Sequence, residues 1–297
     1  MMPRCIGMSA LLALGIACSD QPGFDSYRER AAKIGHREYQ NELGKIYQGG
    51  SEGETNFISA LKWYIAAATP TNHVVQEKEN LVDIVSRYRL KSYQIKASNK
   101  HIKRLDLQNL EVGTKLTIPG LPEAMYNAGA LYEIGGNGVD RNFAEAAKWY
   151  HHGAEAGYPE AQFSYGYALE KGQGVFTDYK KAANWYKLSA EQGLPVAQSN
   201  LANLYFHGLG VKKNFSEAYK WFGIAKKFTA ALRDTAKGDL NPKENGEQFD
   251  RMERDLDRLN KEVDNLEKAV DSCKKALPPE ELIRVQRLID SFAPTKN

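Results

Sequence analysis

Cysteine is scarce in this chain: three in 297 residues, at positions 5, 18 and 273, too few for a disulfide framework. Long apolar runs are missing too. The most apolar stretch, Ile6 to Ala17, has twelve residues, short of the roughly 20 that a membrane-spanning helix needs. Neither an HExxH zinc motif nor a glycine-rich phosphate loop occurs, which removes two common routes to catalysis. The six histidines (His36, His73, His101, His151, His152 and His207) are scattered. The adjacent pair His151-His152 points in two directions from a helix and cannot face one metal ion. Cys273 falls on an apolar seam, as an inert thiol does, and Glu280-Glu281 open a helix, where acidic side chains favour its dipole. The chain therefore reads as non-enzymatic, with no metal or cofactor.

What is abundant is self-similarity. Trp149, Trp185 and Trp221 stand 36 residues apart, in the runs Asn142–Tyr150, Asp178–Tyr186 and Asn214–Phe222. A fourth copy, Asn56–Tyr64, lies upstream. A fixed period of this length marks a solenoid of stacked supersecondary units. Each unit reads as two antiparallel helices, A and B. Pro159 opens helix A where its missing N–H costs nothing, and Gly172-Gln173-Gly174-Val175 breaks the chain. Asn56, Asn142, Asp178 and Asn214 are N-caps for the B helices. Asn142 with Glu145, and Asn214 with Glu217, have capping-box spacing. Gly157 and Gly193 suit the left-handed C′ position. Gly136 lengthens the turn of one copy by a residue. The tryptophans read as core side chains, because none by itself argues for a ligand.

These residues resemble the Sel-one-like repeat, a tetratricopeptide-like family of αα-hairpins, with Leu204-Tyr-Phe-His-Gly-Leu-Gly-Val211 close to its hallmark run. The resemblance covers residues 39–68 and 123–230. It implies a mainly α solenoid, with a degenerate first repeat over 36–70 and three repeats over 121–230. It also implies a protein partner.

From Trp63 to Trp149 the step is 86 residues instead of one period, so the array is interrupted. Residues 73–120 carry a β-branched start, two short amphipathic runs and the alternating Leu116-Thr117-Ile118, the pattern of a βααβ unit. This stretch resembles a LysM domain through Val74-Val75-Gln76, Leu81-x-x-Ile84, Asn99 and Val112 to Pro119. The resemblance implies binding of an N-acetylglucosamine-containing glycan such as peptidoglycan, with Lys78, Glu79, Asn80, Leu81, Asn99, Ile102 and Lys103 as glycan-binding residues. The family's usual Gly-Asp-Thr is here Lys78-Glu79-Asn80, which bears on the backbone of that loop. A purely structural insert is the alternative. Nine Lys and Arg against five Asp and Glu give residues 73–120 a net charge of +4. That fits cell-wall carboxylates or an ordinary solvated face; nucleic acid is not expected as a partner.

At the N-terminus, Arg4 and the apolar run after it suit a secretory signal over residues 1–17. Leu14-Gly-Ile-Ala-Cys18 resembles a bacterial lipoprotein box. It implies lipidation of Cys18, export to the periplasm, a membrane anchor and, with Ser19 following, sorting to the outer membrane. Gly15-x-Ala17 also fits ordinary cleavage to a soluble protein. Residues 18–35 and 231–247 read as linkers. Over 248–292, Met252, Leu256, Leu259, Val263, Leu266, Val270, Cys273 and Leu277 form an a/d seam, followed by a helix from Pro279. These helices either cap the solenoid or dimerise as a coiled coil.

Overall fold

The computed structural model describes residues 36–50, 55–87, 95–96, 98–100, 102, 110–240 and 247–295. They fall into two compact units, one up to Ala156 and one from Gly157 onward. The signal, lipidation and N-terminal linker expectations lie outside the described residues.

In the first unit, α1 (Arg37–Gly49) and α2 (Phe57–Ala68) form one hairpin, and α4 (Pro122–Ile134) and α5 (Phe143–Glu155) form another. Helices α2 and α4 pack together through Ala60, Tyr64, Ala128 and Leu131, with Trp149 against them. The intervening insert therefore does not part successive repeats. Its strands β1 (Thr71–Val74) and β2 (Lys115–Ile118) pair antiparallel, with Thr71 opposite Ile118, so the chain leaves the array and returns at one point. Arg37, 4% exposed, clasps that point: its Nη2 donates to the Thr69 carbonyl, Thr71 Oγ1 and the Ile118 carbonyl. The insert follows repeat one and ends just before a Gly-Leu-Pro junction, Gly120-Leu121-Pro122, that opens repeat two. Gly193-Leu194-Pro195 shows the same junction uninterrupted.

Inside the insert, α3 (Leu81–Arg87) packs Leu81 and Ile84 onto Val75, Ile95, Leu116 and Ile118. The second of the two expected helices falls in a stretch where only Ile95, Lys96, Ser98–Lys100 and Ile102 are described. What is seen is a two-stranded sheet and α3 around a small apolar core.

In the second unit, α6 (Pro159–Lys171) pairs with α7 (Tyr179–Glu191), and α8 (Pro195–His207) with α9 (Phe215–Asp239). Helix α9 runs nine residues into the stretch expected to be linker. The last helices, α10 (Glu247–Lys274) and α11 (Pro279–Ser291), both pack on α9. Leu266, Val270 and Cys273 are buried in the core shared with repeats three and four. The C-terminal half of the a/d seam thus packs inside the chain, over the last repeat.

Periodic contacts explain the periodic residues. A Cβ on Gly44, Gly129 or Gly166 would lie 2.4, 2.7 or 2.9 Å from the ring of Tyr64, Tyr150 or Tyr186. Each tyrosine hydroxyl donates to a side chain in the last turn of helix A, namely Gln48, Glu133 and Glu170. Repeat four replaces the whole set with Ala202, Phe222 and Phe206, so the hydroxyl and its acceptor vanish together.

The four N-caps form as expected: Asn56, Asn142, Asp178 and Asn214 accept from N–H groups of the first turn. The expected capping boxes are only half made. The N–H of Asn142 donates to the Tyr132 carbonyl and that of Asn214 to Tyr205, so neither is open to Glu145 or Glu217. Those carboxylates pair with Lys148 and Lys220 instead. The extra residue at Gly136 is absorbed in a tight turn: Gly136 and Val139 exchange both backbone hydrogen bonds around Asn137 (φ 48°) and Gly138 (φ 86°). Positive φ at both central residues is the geometry that Asn-Gly favours.

Candidate functional site

The seven residues expected to hold glycan separate into distinct roles. Leu81 is fully buried in the insert core. Asn99 is fully buried as well, and its amide is committed to backbone. Nδ2 donates to the Ile95 and Thr117 carbonyls, and Oδ1 accepts from the Thr117 N–H. It ties the helical stretch to β2 and satisfies polar groups that burial would otherwise leave unpaired. Ile102 packs against the same core, and Lys103 lies outside the described residues.

The first loop is tightly built. Asn80 caps α3, accepting from Val82 and Asp83, while Asp83 accepts from the Asn80 N–H. This is a reciprocal box, with Asp in the place usually held by Glu. The Glu79 side chain is 5% exposed and accepts from the Gln76 N–H at 3.0 Å, with His73 Nε2 2.7 Å away. Lys78 is exposed and adopts φ 64°. The loop thus holds a left-handed conformation that glycine adopts most readily, although the residue is lysine, for which it costs about 1–2 kcal/mol. Among the described members of this set, Lys78 is the exposed one, and the outward-facing Val74, Val82 and Val112 are solvent-exposed on the same small module.

The repeat surface offers other features. Trp63, Trp149 and Trp185 are half-buried and Trp221 is buried, each packed into a hydrophobic cluster. They are core side chains. Phe176, in the turn of repeat three, is 97% exposed. A cavity of about 700 Å³ opens beside it, lined by Tyr165, Leu169, Val175, Asp178 and Lys181 among others. Sequence reasoning passed over Phe176, yet the signal was present. The copies carry Asp140 and Lys212 two residues after the turn glycine, so an aromatic there departs from the pattern. A second feature gave no sequence signal: the segment after α11 lies back across repeats three and four, with Phe292 against Trp221 and Phe228.

Among the described residues, no three His, Cys, Asp or Glu side chains come together as a metal cluster. No helix among them is long and apolar enough to cross a membrane. Burial pushes the Cys273 thiol up to about 11, opposite to the shift that activates a nucleophile.

A match to a known repeat agrees with this architecture. Residues 37–69, 122–158, 159–194 and 195–227 match the Sel1 repeat. The gap between the first two matches coincides with the insert. No curated protein matches the chain. Solved structures that resemble it include a Sel1 repeat protein from Oxalobacter formigenes, with 21% identity, 85% of this chain and 84% of that one covered, and a TM-score of 0.49. Another is c5321, a protective antigen of uropathogenic Escherichia coli strains with an SLR fold: 21% identity, 98% and 56% covered, TM-score 0.34. A third is the immunity protein Pa5087 from Pseudomonas aeruginosa: 15% identity, 89% and 84% covered, TM-score 0.36.

Proposed function

Because the chain carries four Sel1 repeats, and Sel1 repeat proteins mediate protein–protein interactions, we propose that it is a non-catalytic adaptor of the bacterial cell envelope. Its repeats dock a protein partner. Its insert holds an N-acetylglucosamine-containing glycan such as peptidoglycan, and Cys18 carries a lipid that fixes the exported protein to the outer membrane. The repeat array carries the docking part: αα-hairpins with aromatic cores, the last of them covered by α10 and α11. For the glycan part, support comes from the +4 charge of the insert and from Lys78 holding a glycine-like backbone at the rim. Anchoring and a weak glycan contact act together through effective concentration, so modest affinities suffice.

A second reading keeps the repeats as a protein-docking surface and makes the insert structural. It is favoured by the burial of Leu81 and Asn99 and by the local engagement of Glu79 and Asn80.

The deciding experiment is co-sedimentation with purified peptidoglycan sacculi of the chain from Ser19 onward, beside a Lys78→Glu, Lys115→Glu double variant. Pelleting of the parent that the charge reversal weakens at least several-fold supports the envelope adaptor. A parent that stays in the supernatant removes the glycan part and leaves the protein-docking reading.

A further inference from the structure

The residues that follow α11 behave as a bound peptide. Phe292 leaves the helix in an extended conformation, with ψ 126°. Its ring lies 5.9 Å from Trp221 at 73° and 5.9 Å from Phe228 at 90°, so it meets both edge-on, the arrangement that ring quadrupoles favour. Pro294 lies over Gly193. A Cβ at that glycine would be 2.9 Å from the proline Cγ, and its φ of +96° already suits glycine. Thr295 then donates both its backbone N–H (2.9 Å) and its hydroxyl (3.1 Å) to the Glu191 carbonyl. Glu191 ends α7, and a carbonyl in the last turn has no partner within its own helix.

Each receiving feature is a product of the repeat itself. Gly193 is the glycine after helix B, Glu191 is the end of that helix, and Trp221 is the tryptophan of the next one. Phe228 extends the strip along α9. The tail adds an aromatic ring, a flat proline and a hydrogen-bond donor at positions 292, 294 and 295. Trp221 is left 5% exposed, whereas Trp185, one period earlier, is half-buried.

We propose that this strip on repeats three and four is a docking site for an extended segment of a partner protein, and that residues 292–295 are its resident occupant, displaced when the partner arrives. The proposal rests on the reading of the repeats as a protein-docking surface. The partner segment is defined by the same chemistry: an aromatic side chain two residues before a proline, followed by a residue with a free N–H and a hydroxyl. A covalently tethered tail competes at an effective concentration on the order of millimolar, so the closed strip admits only a segment that binds well enough to displace it.

The test uses a fluorescent peptide of residues 291–297 and anisotropy on three full-length proteins: the parent, Phe292→Ala/Thr295→Pro, and the same double variant with Phe228→Ala added. The double variant leaves every helix intact while removing the ring and the N–H donor. Peptide binding at least tenfold tighter to the double variant than to the parent, and weakened again by Phe228→Ala, is the expected result. Equal or undetectable binding to parent and double variant, with unchanged circular dichroism, overturns the proposal. So does a double variant that loses helical signal, since the tail is then a structural clasp. A natural partner that is captured by the repeats yet ignores the peptide would count against the strip alone. Peptide binding without any captured partner would count against the adaptor reading alone.

Discussion

Opposite each of three tyrosines stands a glycine whose hydrogen is all the space allows. Gly166 faces the Tyr186 ring with 2.9 Å left for a Cβ, and Tyr186 is fully buried. Alanine is the better helix former by about 1 kcal/mol, but overpacking a closed core costs about 1–3 kcal/mol. Gly166→Ala is therefore expected to lower stability by about 1–2 kcal/mol in chemical denaturation. Gly238→Ala, where no atom lies within 4 Å of the new Cβ, is expected to be neutral or stabilising by up to about 1 kcal/mol. Cys273 gives a second test at this scale. Its folded value of about 11 stands above the ordinary 9.0 because burial disfavours the thiolate. Above pH 9 the unfolded thiol ionises first and the unfolded state binds fewer protons, so stability falls with rising pH. The contribution is fully present below pH 9 and is lost as pH climbs through 11. In the chain from Ser19, where Cys273 is the sole cysteine, denaturation at stepped pH should show that loss, and Cys273→Ala should reduce it. The thiol should also resist disulfide reagents at pH 8 until denaturant is added.

Individual helices were largely legible because their boundaries rest on local chemistry. Asparagine or aspartate stands before each B helix, proline opens helix A in repeats two to four, and glycine follows each helix A. What local spacing could not show is the competition for a cap's own N–H. Asn142 and Asn214 donate to carbonyls of the preceding helix, and that contact exists only once the hairpin has closed. Among the four caps, Asp178 alone can titrate. The Lys181 backbone N–H, chiefly, holds its carboxyl below the usual 3.8. Its contribution is present above pH 3.8 and is lost as pH falls through the lower folded value. Asp178→Asn should therefore flatten the acid limb of the stability profile, while Asn142→Asp should add such a limb. Thermal melts between pH 2 and 5 read both.

For the molecule as a whole, the insert is a guest held at one point. Thr71 pairs with Ile118, Leu121 N–H donates to the Ala67 carbonyl, and Arg37 bridges entry and exit. Replacing residues 72–117 with a two-residue turn is expected to leave α2 packed on α4. Circular dichroism should then keep the helical signal of the remaining residues, with a melting temperature within a few degrees of the parent. A collapse of the first unit would show that the insert core supports the array.

The sequence alone determined the repeat, its period, the break in it and the caps, because each follows from side-chain chemistry within a few residues of itself. It showed the small β-containing insert through its alternating apolar residues, and the seam of α10 through its spacing. The tertiary structure decided what those patterns are for. Asn99 was named from the sequence as a glycan-binding residue, and only the approach of β2 shows its amide committed to the backbone. The seam could serve a second chain or its own, and only the packing of α10 on α9 shows that Leu266, Val270 and Cys273 are buried within the chain. Nothing within residues 292–295 announces that they lie on Trp221 and Glu191, about 70 and 100 residues away. Contacts at that separation depend on how helices stack, and stacking belongs to the assembled core.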